Sequence, residues 1–169
     1  NLAKMYIERA LEPVLKAHLF KEKLILLYGA RQVGKTTLVK KILADLDTPY
    51  KYFNCDELDV KTLFTNANTS VELKQIIGNY PVVVLDEAQR IRDIGIKLKL
   101  LVDQYKDIQI IATGSSSFDL ANEIVEPLTG RNYEFWLHPV SIQELRRTMD
   151  QLDLGRRLES FLIYGMYPD

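Results

Sequence analysis

The segment 29–36 limits the fold of this chain more strongly than any other part of the sequence. It matches the pattern G-x-x-x-x-G-K-[ST] at every specified position. A continuous apolar run, residues 24–28, comes directly before it, and residues 36–46 follow with Leu38, Ile42 and Leu46 at helical spacing. Because a strand, a glycine-bearing turn and an amphipathic helix in this order are the expected setting of such a motif, the sequence predicts a phosphate-binding loop.

Each part of this loop has a chemical task in holding phosphate. Glycines allow the tight turn that aims successive backbone N–H groups at phosphate oxygens, and the helix adds the positive end of its dipole. The Lys35 ammonium can reach β- and γ-phosphates, and the Thr36 hydroxyl is a hard ligand for Mg²⁺. The residues predicted to bind the phosphates are Gly29, Ala30, Arg31, Gln32, Val33, Gly34, Lys35, Thr36 and Thr37. For Arg31 and Gln32, exposure to solvent at the tip of the loop is as good an interpretation as contact with a ligand. Thr37 either contacts the α-phosphate or packs against neighbouring residues.

A second apolar run ends in two adjacent carboxylates. Residues 80–85 predict a strand that leads directly into Asp86 and Glu87. In an open α/β sheet the active site lies at the carboxyl ends of the strands, so Asp86 is predicted to bind the Mg²⁺ held by Thr36, directly or through water. Glu87 is predicted to polarise a water for in-line attack on a γ-phosphate. The alternative is that both acids only end a strand and cap the next helix.

Strand-length apolar runs alternate with helical patterns along the whole chain. The predicted strands are residues 24–28, 50–53, 80–85, 108–112 and 133–137. The predicted helices are residues 5–20, 36–46, 60–64, 71–77, 94–105, 142–149 and 152–164. Strands that are apolar throughout need helices on both faces, which predicts a layered α/β domain with a largely parallel sheet. The 169 residues suit a single domain, with a helical lead-in over about 5–20, a nucleotide-binding core over about 23–138 and a helical part over 141–165.

Charge and composition exclude other classes of protein. The 22 lysines and arginines nearly balance the 23 aspartates and glutamates, so a domain-wide basic surface for nucleic acid is not expected, although adjacent arginines such as Arg156 and Arg157 leave a local patch open. The one cysteine, Cys55, allows neither an intramolecular disulfide nor an all-cysteine metal site. No apolar run approaches the roughly 20 residues that span a bilayer. We therefore expect a cytoplasmic protein that does not bind membranes.

Several segments together resemble one family, the prokaryotic AAA-type P-loop ATPases in which an ATPase domain precedes a poorly characterised C-terminal domain. The segments that carry the resemblance are 29–37, 85–89, 113–117, 128–131, 137–141 and 144–145. The resemblance implies a three-layer P-loop NTPase fold with a five-stranded parallel sheet, in which an additional strand separates the two strands that bear the nucleotide motifs. It also implies ATP and Mg²⁺ as ligands and allows self-association, whereas a hexameric ring does not follow from it.

Two hydroxyls and one arginine are further candidate site residues. Members of the resembling family have a polar residue after the strand that follows the acidic one, where it hydrogen-bonds the γ-phosphate or the attacking water. Thr113 and Ser115 are the candidates here, and a serine-rich turn bonded to its own backbone is the alternative. Arg131 is either a charge-neutralising arginine for a nucleotide in its own or a neighbouring subunit, or a surface arginine in a salt bridge.

Two functions from different classes fit these residues. The first is an ATPase that hydrolyses ATP to ADP and phosphate with Mg²⁺ and moves a C-terminal effector module. Its candidate catalytic residues are Lys35, Glu87, Thr113, Ser115 and Arg131, and its candidate metal ligands are Thr36 and Asp86. The alternative is an ATP-dependent switch with negligible turnover. Residues 164–169 resemble a family segment that leads into the next module, so we expect this chain to be the N-terminal part of a longer protein.

Overall fold

Five parallel strands form one sheet in the computed structural model, which describes residues 6–115 and 127–167. The strands are β1 (Leu24–Tyr28), β2 (Tyr50–Asn54), β3 (Val82–Asp86), β4 (Gln109–Gly114) and β5 (Asn132–Trp136). Their order across the sheet is β2-β3-β4-β1-β5, and each neighbouring pair is parallel. Because β4 lies between β1 and β3, the additional strand expected between the two motif-bearing strands is confirmed.

Seven α-helices lie entirely within the described part of the chain. They are α1 (Leu11–Ala17), α2 (Lys35–Asp45), α3 (Leu58–Asn66), α4 (Ser70–Ile77), α5 (Ile94–Gln104), α6 (Ile142–Leu145) and α7 (Gln151–Tyr164). Side chains of α1 and α2 form a core with one face of the sheet, and side chains of α3, α4 and α5 form a second core with the other face. The predicted three-layer α/β fold is confirmed. No helix among the described residues has the length and apolar character needed to cross a bilayer.

Alternate residues of the central strands face the two cores. In β1, Ile25 and Leu27 join the core with α1 and α2, whereas Leu24 and Leu26 join the core with the other three helices. Every residue of β1, β3 and β4 is buried. Burial on both faces explains why β1 and most of β3 and β4 are apolar in the sequence. The polar residues of β3 and β4, Asp86, Gln109 and Thr113, lie at or next to the strand ends. Each apolar side chain removed from water stabilises the sheet by about 25 cal/mol per Å² of buried surface.

Two of the predicted helices are shorter in the structure. The lead-in helix begins at Leu11 and ends at Ala17, because the Ala10 N–H donates to the Glu144 carboxylate at 2.7 Å and holds the preceding residues out of the helix. Helix α6 ends at Leu145 and continues as a turn, in which the Thr148 N–H donates to the Leu145 carbonyl at 2.9 Å. Parts of three predicted segments lie outside the described residues, namely residue 5, Ser116, Ser117 and residues 168–169.

The carboxyl ends of β1, β3 and β4 meet at one edge of the sheet. Tyr28 pairs with Gly114 in the β1–β4 ladder, and Leu85 pairs with Ala112 in the β3–β4 ladder. Parallel strands run in the same direction, so the loops that follow these strands all begin at this edge. The glycine-bearing loop after β1 and the acidic pair at the end of β3 are therefore brought together by the topology.

Gly29, the first residue after β1, has no room for a side chain. A Cβ at this position would lie 2.4 Å from the Leu137 carbonyl oxygen and 3.0 Å from Val33 Cγ2. The Leu137 backbone cannot withdraw easily, because its N–H donates to the Tyr28 carbonyl at 2.7 Å. Glycine is thus required here by the close approach of two backbone segments.

Substitution of Gly29 by alanine tests this close approach. Overpacking against backbone atoms is expected to lower the free energy of unfolding by about 1–3 kcal/mol, measured by denaturant unfolding followed by circular dichroism. The control is Gly155→Ala in α7, where a Cβ would meet nothing within 4 Å. That control is expected to raise stability by about 0.5–1 kcal/mol, since alanine favours a helix over glycine. Equal effects of the two substitutions would contradict the packing argument.

Candidate active site

The phosphate loop, residues 29–36, ends in a helix start that no side chain caps. Its backbone turns through positive φ values of 65° at Gln32 and 94° at Gly34. Helix α2 begins at Lys35, and its N-cap Gly34 makes no side-chain capping bond. The first-turn N–H groups of an α-helix have no partner within the helix, and they carry the positive end of its dipole. This helix start is therefore suited to binding an anion.

The ammonium group of Lys35 lies inside the loop. The Lys35 side chain is 4% exposed, and its Nζ donates to the carbonyl oxygens of Gly29 at 2.9 Å and Ala30 at 3.0 Å. The same Nζ lies 3.7 Å from Glu87 Oε1. Loop carbonyls and one acidic side chain thus surround the buried cation. A phosphate group entering the loop would meet it at close range in a weakly solvated setting, where charge interactions are strong.

The carboxylate of Asp86, at the end of β3, accepts hydrogen bonds from three hydroxyl groups. Thr36 Oγ1 donates to Asp86 Oδ2 at 2.8 Å, and the Tyr52 hydroxyl donates to the same oxygen. Thr113 Oγ1 donates to the other oxygen, Oδ1. Burial, together with the hydrogen bond to Asp86, raises the pKa of the Tyr52 hydroxyl above its usual range, so this group keeps its proton at neutral pH. Asp86 is therefore held in one orientation beside Thr36.

The chemistry of this pair fits Mg²⁺. Thr36 and Asp86 supply hard oxygen atoms that lie 2.8 Å apart, and Mg²⁺ is usually bound by one or two such protein groups together with water and phosphate oxygens. Among the described residues no group of three or more His, Cys, Asp and Glu could form an all-protein metal cage. Thr36 and Asp86 therefore suit a metal that takes most of its ligands from phosphate and water.

Glu87 has a left-handed backbone, with φ 56° and ψ 45°. This conformation is uncommon for a residue with a Cβ, and such residues cluster at functional sites. The Glu87 N–H donates to Thr113 Oγ1 at 3.0 Å. Its carboxylate accepts from Gln89 Nε2, which also donates to Ser115 Oγ at 3.1 Å. The Glu87 carboxylate is thus held between Lys35 on one side and Gln89 on the other.

The structure brings most of the predicted site residues together. Lys35, Thr36, Asp86 and Glu87 are linked by the contacts above. Thr113 also lies among them, but it is 1% exposed and bonds Asp86 and the Glu87 backbone, so its hydroxyl positions the two acidic residues. The remaining predicted residues of the loop differ in exposure: Val33 is buried, and Arg31, Gln32 and Thr37 are exposed.

Arg131 lies at the opposite edge of the sheet. Its carbonyl accepts a hydrogen bond from the N–H of Leu24, the first residue of β1, so the five residues of β1, roughly 16 Å of strand, separate it from the phosphate loop. Its guanidinium group donates to Asp103 at 2.5 Å. Parallel pairing of β5 with β1 thus places Arg131 at the amino edge, in an ion pair with Asp103. A role of Arg131 toward a nucleotide, in its own or a neighbouring subunit, stays a prediction.

Two residues near the site were not predicted from the sequence. Tyr52 reaches Asp86 from β2, whose pairing with β3 opposes Asn54 to Asp86. Arg9 is 5% exposed and donates to the Val33 carbonyl of the phosphate loop at 2.8 Å. The alternating pattern of β2 is a weak signal for Tyr52, since it places Tyr52 and Asn54 on one face. No sequence pattern near Arg9 predicts its contact with the phosphate loop, because it stands before a helix among other charged residues.

A model for the AAA domain family matches residues 21–146. The chain belongs to the AAA domain family. The matched range contains the whole sheet, the phosphate loop and the acidic pair. The family and the fold together are those of ATP-binding proteins of the ATPase type, which usually bind their nucleotide with Mg²⁺.

Sequence relatives of this AAA domain are longer proteins. It is 32% identical over 160 residues to an uncharacterized protein of Methanocaldococcus jannaschii, in a match that covers 83% of this chain and 33% of the relative. It is 34% identical over 119 residues to an uncharacterized protein of Mycobacterium tuberculosis, covering 69% of this chain and 25% of the relative. The chain therefore spans about a third or less of the length of these relatives.

Two solved structures have the same fold as this AAA domain. A Walker-type ATPase of Pyrococcus abyssi matches 96% of this chain and 65% of its own, with a TM-score of 0.68 and 20% identity. The Orc1 protein of Aeropyrum pernix, solved in complex with DNA, matches 93% of this chain and 50% of its own, with a TM-score of 0.58 and 17% identity. At these identities the likeness shows the fold.

Substitution of Thr113 by valine tests how the two acidic residues are held. Valine keeps the shape but removes the hydroxyl that bonds Asp86 and the Glu87 N–H. Leaving that buried N–H unpaired is expected to lower the free energy of unfolding by about 1–3 kcal/mol, measured by chemical denaturation. Thr113→Ser keeps the hydroxyl and is the matched control, with a loss smaller than that of valine. A valine variant as stable as the serine variant would show that the hydroxyl holds nothing in place.

Proposed function

We propose that this AAA domain binds ATP with Mg²⁺ and hydrolyses it to ADP and phosphate. The observation that carries the proposal is the meeting of four side chains at one edge of the sheet. Lys35 and Thr36 enter from the phosphate loop, and Asp86 and Glu87 enter from the end of β3. A cation, a metal-binding oxygen pair and a carboxylate able to orient water are the parts that phosphoryl transfer to water requires.

In the proposed binding step, the loop and Lys35 hold the phosphates. The N–H groups at the start of α2 bind phosphate oxygens, and the Lys35 ammonium exchanges its bonds to the Gly29 and Ala30 carbonyls for the more negative β- and γ-phosphates. Thr36 and Asp86 would hold the metal beside them. Mg²⁺ bound there would neutralise charge on the β- and γ-phosphate oxygens.

In the proposed chemical step, Glu87 orients a water molecule toward the γ-phosphorus. The water oxygen forms the new P–O bond, the bond from the γ-phosphorus to the bridging oxygen of ADP breaks, and the proton of the water passes to Glu87 or to the departing phosphate. Gln89 and Ser115 would keep the Glu87 carboxylate in place through the bonds that they make now. Lys35 would stabilise the charge on the transferring group.

A switch with negligible turnover remains the second candidate, and one observation favours it. The Glu87 carboxylate faces Lys35 at 3.7 Å and accepts from Gln89, so its orientation is set by partners within the chain. Turnover would then depend on a rearrangement that turns the carboxylate toward a water at the γ-phosphate. A partner or a second copy of the chain could supply that rearrangement.

We also propose that the AAA domain works as part of a longer protein, with a C-terminal effector module. The share of each relative that the chain spans, 33% and 25%, supports the longer protein. Self-association belongs to the same proposal.

Binding of nucleic acid has little support. The exposed Arg156 and Arg157 lie on α7, but α7 also carries Asp153 and Glu159, so its surface is not uniformly basic.

Loss of the Lys35 ammonium is expected to abolish tight nucleotide binding. In calorimetric titrations with ATP, ADP and GTP, each with and without Mg²⁺, the unmodified protein should bind ATP. Lys35→Ala should bind it at least about 10-fold more weakly, since charge-assisted bonds to phosphate are lost. Lys106→Ala is the matched control, because it removes one exposed cation from the turn before β4, at the opposite edge of the sheet. Equal affinities of the two variants would contradict binding at the loop.

Glu87→Gln separates hydrolysis from switching. The amide keeps the size of the side chain but cannot accept a proton, so phosphate release is expected to fall by about 10²–10⁴-fold while ATP affinity is retained. The rate is measured as released phosphate and the affinity by calorimetry. A wild-type protein that binds ATP but releases no phosphate, alone or with partners, would leave the switch as the function of this site.

A further inference from the structure

Arg9 is a buried arginine that joins the phosphate loop to the C-terminal helical part. It is 5% exposed and lies two residues before α1. Its Nη1 donates to the Val33 carbonyl at 2.8 Å, its Nη2 to the His138 carbonyl at 2.5 Å and its Nε to Glu144 Oε1 at 3.2 Å. The three bonds use the fixed fork of the guanidinium group to connect segments that are up to 135 positions apart in the chain.

Glu144, the acidic partner of Arg9, is equally well bonded. Its Oε1 also accepts from the Ala10 N–H at 2.7 Å, and its Oε2 accepts from the Ser141 N–H at 2.8 Å. Burial disfavours its charge, but the N–H groups of Ser141 and Ala10 and the nearby Arg9 outweigh burial and lower the pKa of Glu144 below its usual range. Further hydrogen bonds offset the cost of burying an ion pair. Besides the bond between them, Arg9 donates to two carbonyls and Glu144 accepts from two backbone N–H groups.

The bond from Arg9 to Val33 determines the direction of a phosphate-loop amide. The chain has no cis peptide bond among its described residues, and in a planar trans peptide the C=O and the following N–H point in opposite directions. Because the Val33 carbonyl points at Arg9, the Gly34 N–H points away from it. That N–H donates no hydrogen bond to any described residue. It is thus an unpaired donor at the start of α2, next to Lys35.

We propose that Arg9 is a positioning residue of the phosphate loop, which holds the Val33 carbonyl outward so that the Gly34 N–H is directed at a bound phosphate, and which ties this orientation to α6 through Glu144. The inference rests on the proposed nucleotide binding at the loop. It explains why a full positive charge is buried at the loop, on the side opposite the Gly34 N–H. In this proposal the helical part after β5 helps to orient the phosphate loop, because Glu144 of α6 holds Arg9.

Arg9→Lys and Glu144→Gln are the variants that test this role. Lysine keeps the charge but loses the fork, so it cannot make the three bonds at once. Glutamine keeps the shape of Glu144 but removes the charge that holds the guanidinium group. The control is Lys97→Met, which disturbs a buried lysine whose Nζ donates to the Ala67 carbonyl at 2.6 Å. Lys97 lies in α5, on the face of the sheet opposite α1 and α2.

The first readout is ADP affinity without Mg²⁺, measured by calorimetry at a temperature where circular dichroism shows each variant folded. Arg9→Lys is expected to bind ADP at least about 10-fold more weakly than the wild type, and Glu144→Gln to weaken binding in the same direction. Lys97→Met is expected to lose stability but to keep wild-type affinity. The second readout is the amide signal of Gly34 in ¹⁵N-correlated NMR spectra, which should shift on ADP binding in the wild type and shift less in Arg9→Lys.

The outcomes separate this role from simple stabilisation and from failure of the proposed function. If Arg9→Lys unfolds at a lower temperature but binds ADP like Lys97→Met, with an unchanged Gly34 shift, Arg9 only stabilises the fold and the inference is overturned. If Arg9→Lys does not fold, Glu144→Gln decides between the same two results. A wild-type protein that binds neither ADP nor ATP overturns the proposed function and this inference with it.

Discussion

Parallel pairing of β1, β4 and β3 is the constraint on which the rest of the molecule depends. It places the carboxyl ends of these strands at one edge, so the loop after β1 and the acids at the end of β3 face each other. Parallel strands also need crossover connections, and the helices in those connections bury both faces of the sheet. The two cores and the candidate site are therefore consequences of one topology, and the further pairing of β5 with β1 places Arg131 at the opposite edge.

Buried polar groups give the site its shape. Asp86 is held by three hydroxyls, and Arg9 and Glu144 complete each other's hydrogen bonds beneath the loop. Each buried polar group of this kind that lost its partner would lower the free energy of unfolding by about 1–3 kcal/mol, and a charged group by more. The donors of the first α2 turn and the Lys35 ammonium are the groups that could gain most from an anionic ligand. Among the described residues, the buried side-chain atoms without a hydrogen-bond partner are Tyr28 Oη, Thr65 Oγ1 and Gln89 Oε1, and the last of these lies beside Glu87 at the site.

Local patterns predicted the fold well where a single segment carries the whole signal. Residues 24–28 are predicted as a strand and form β1 without change, because a run of five apolar residues that ends at a glycine-bearing turn suits a strand buried on both faces. The lead-in helix was predicted too long, since the Ala10 N–H is bonded by Glu144, which lies 134 positions away. Tyr52 and Arg9 were missed for the same reason. Their roles depend on partners that only the folded chain brings close.

Local sequence patterns are sufficient to predict the phosphate loop, the acidic pair and the layered α/β class, because the residues that define each of them are neighbours in the chain. The bonds from Thr113 to Asp86 and Glu87, from Arg131 to Asp103 and from Arg9 to Val33 become visible only in the folded chain. The physical reason is that hydrogen bonds and ion pairs act over about 3 Å in space, whereas the order of residues records only distance along the chain.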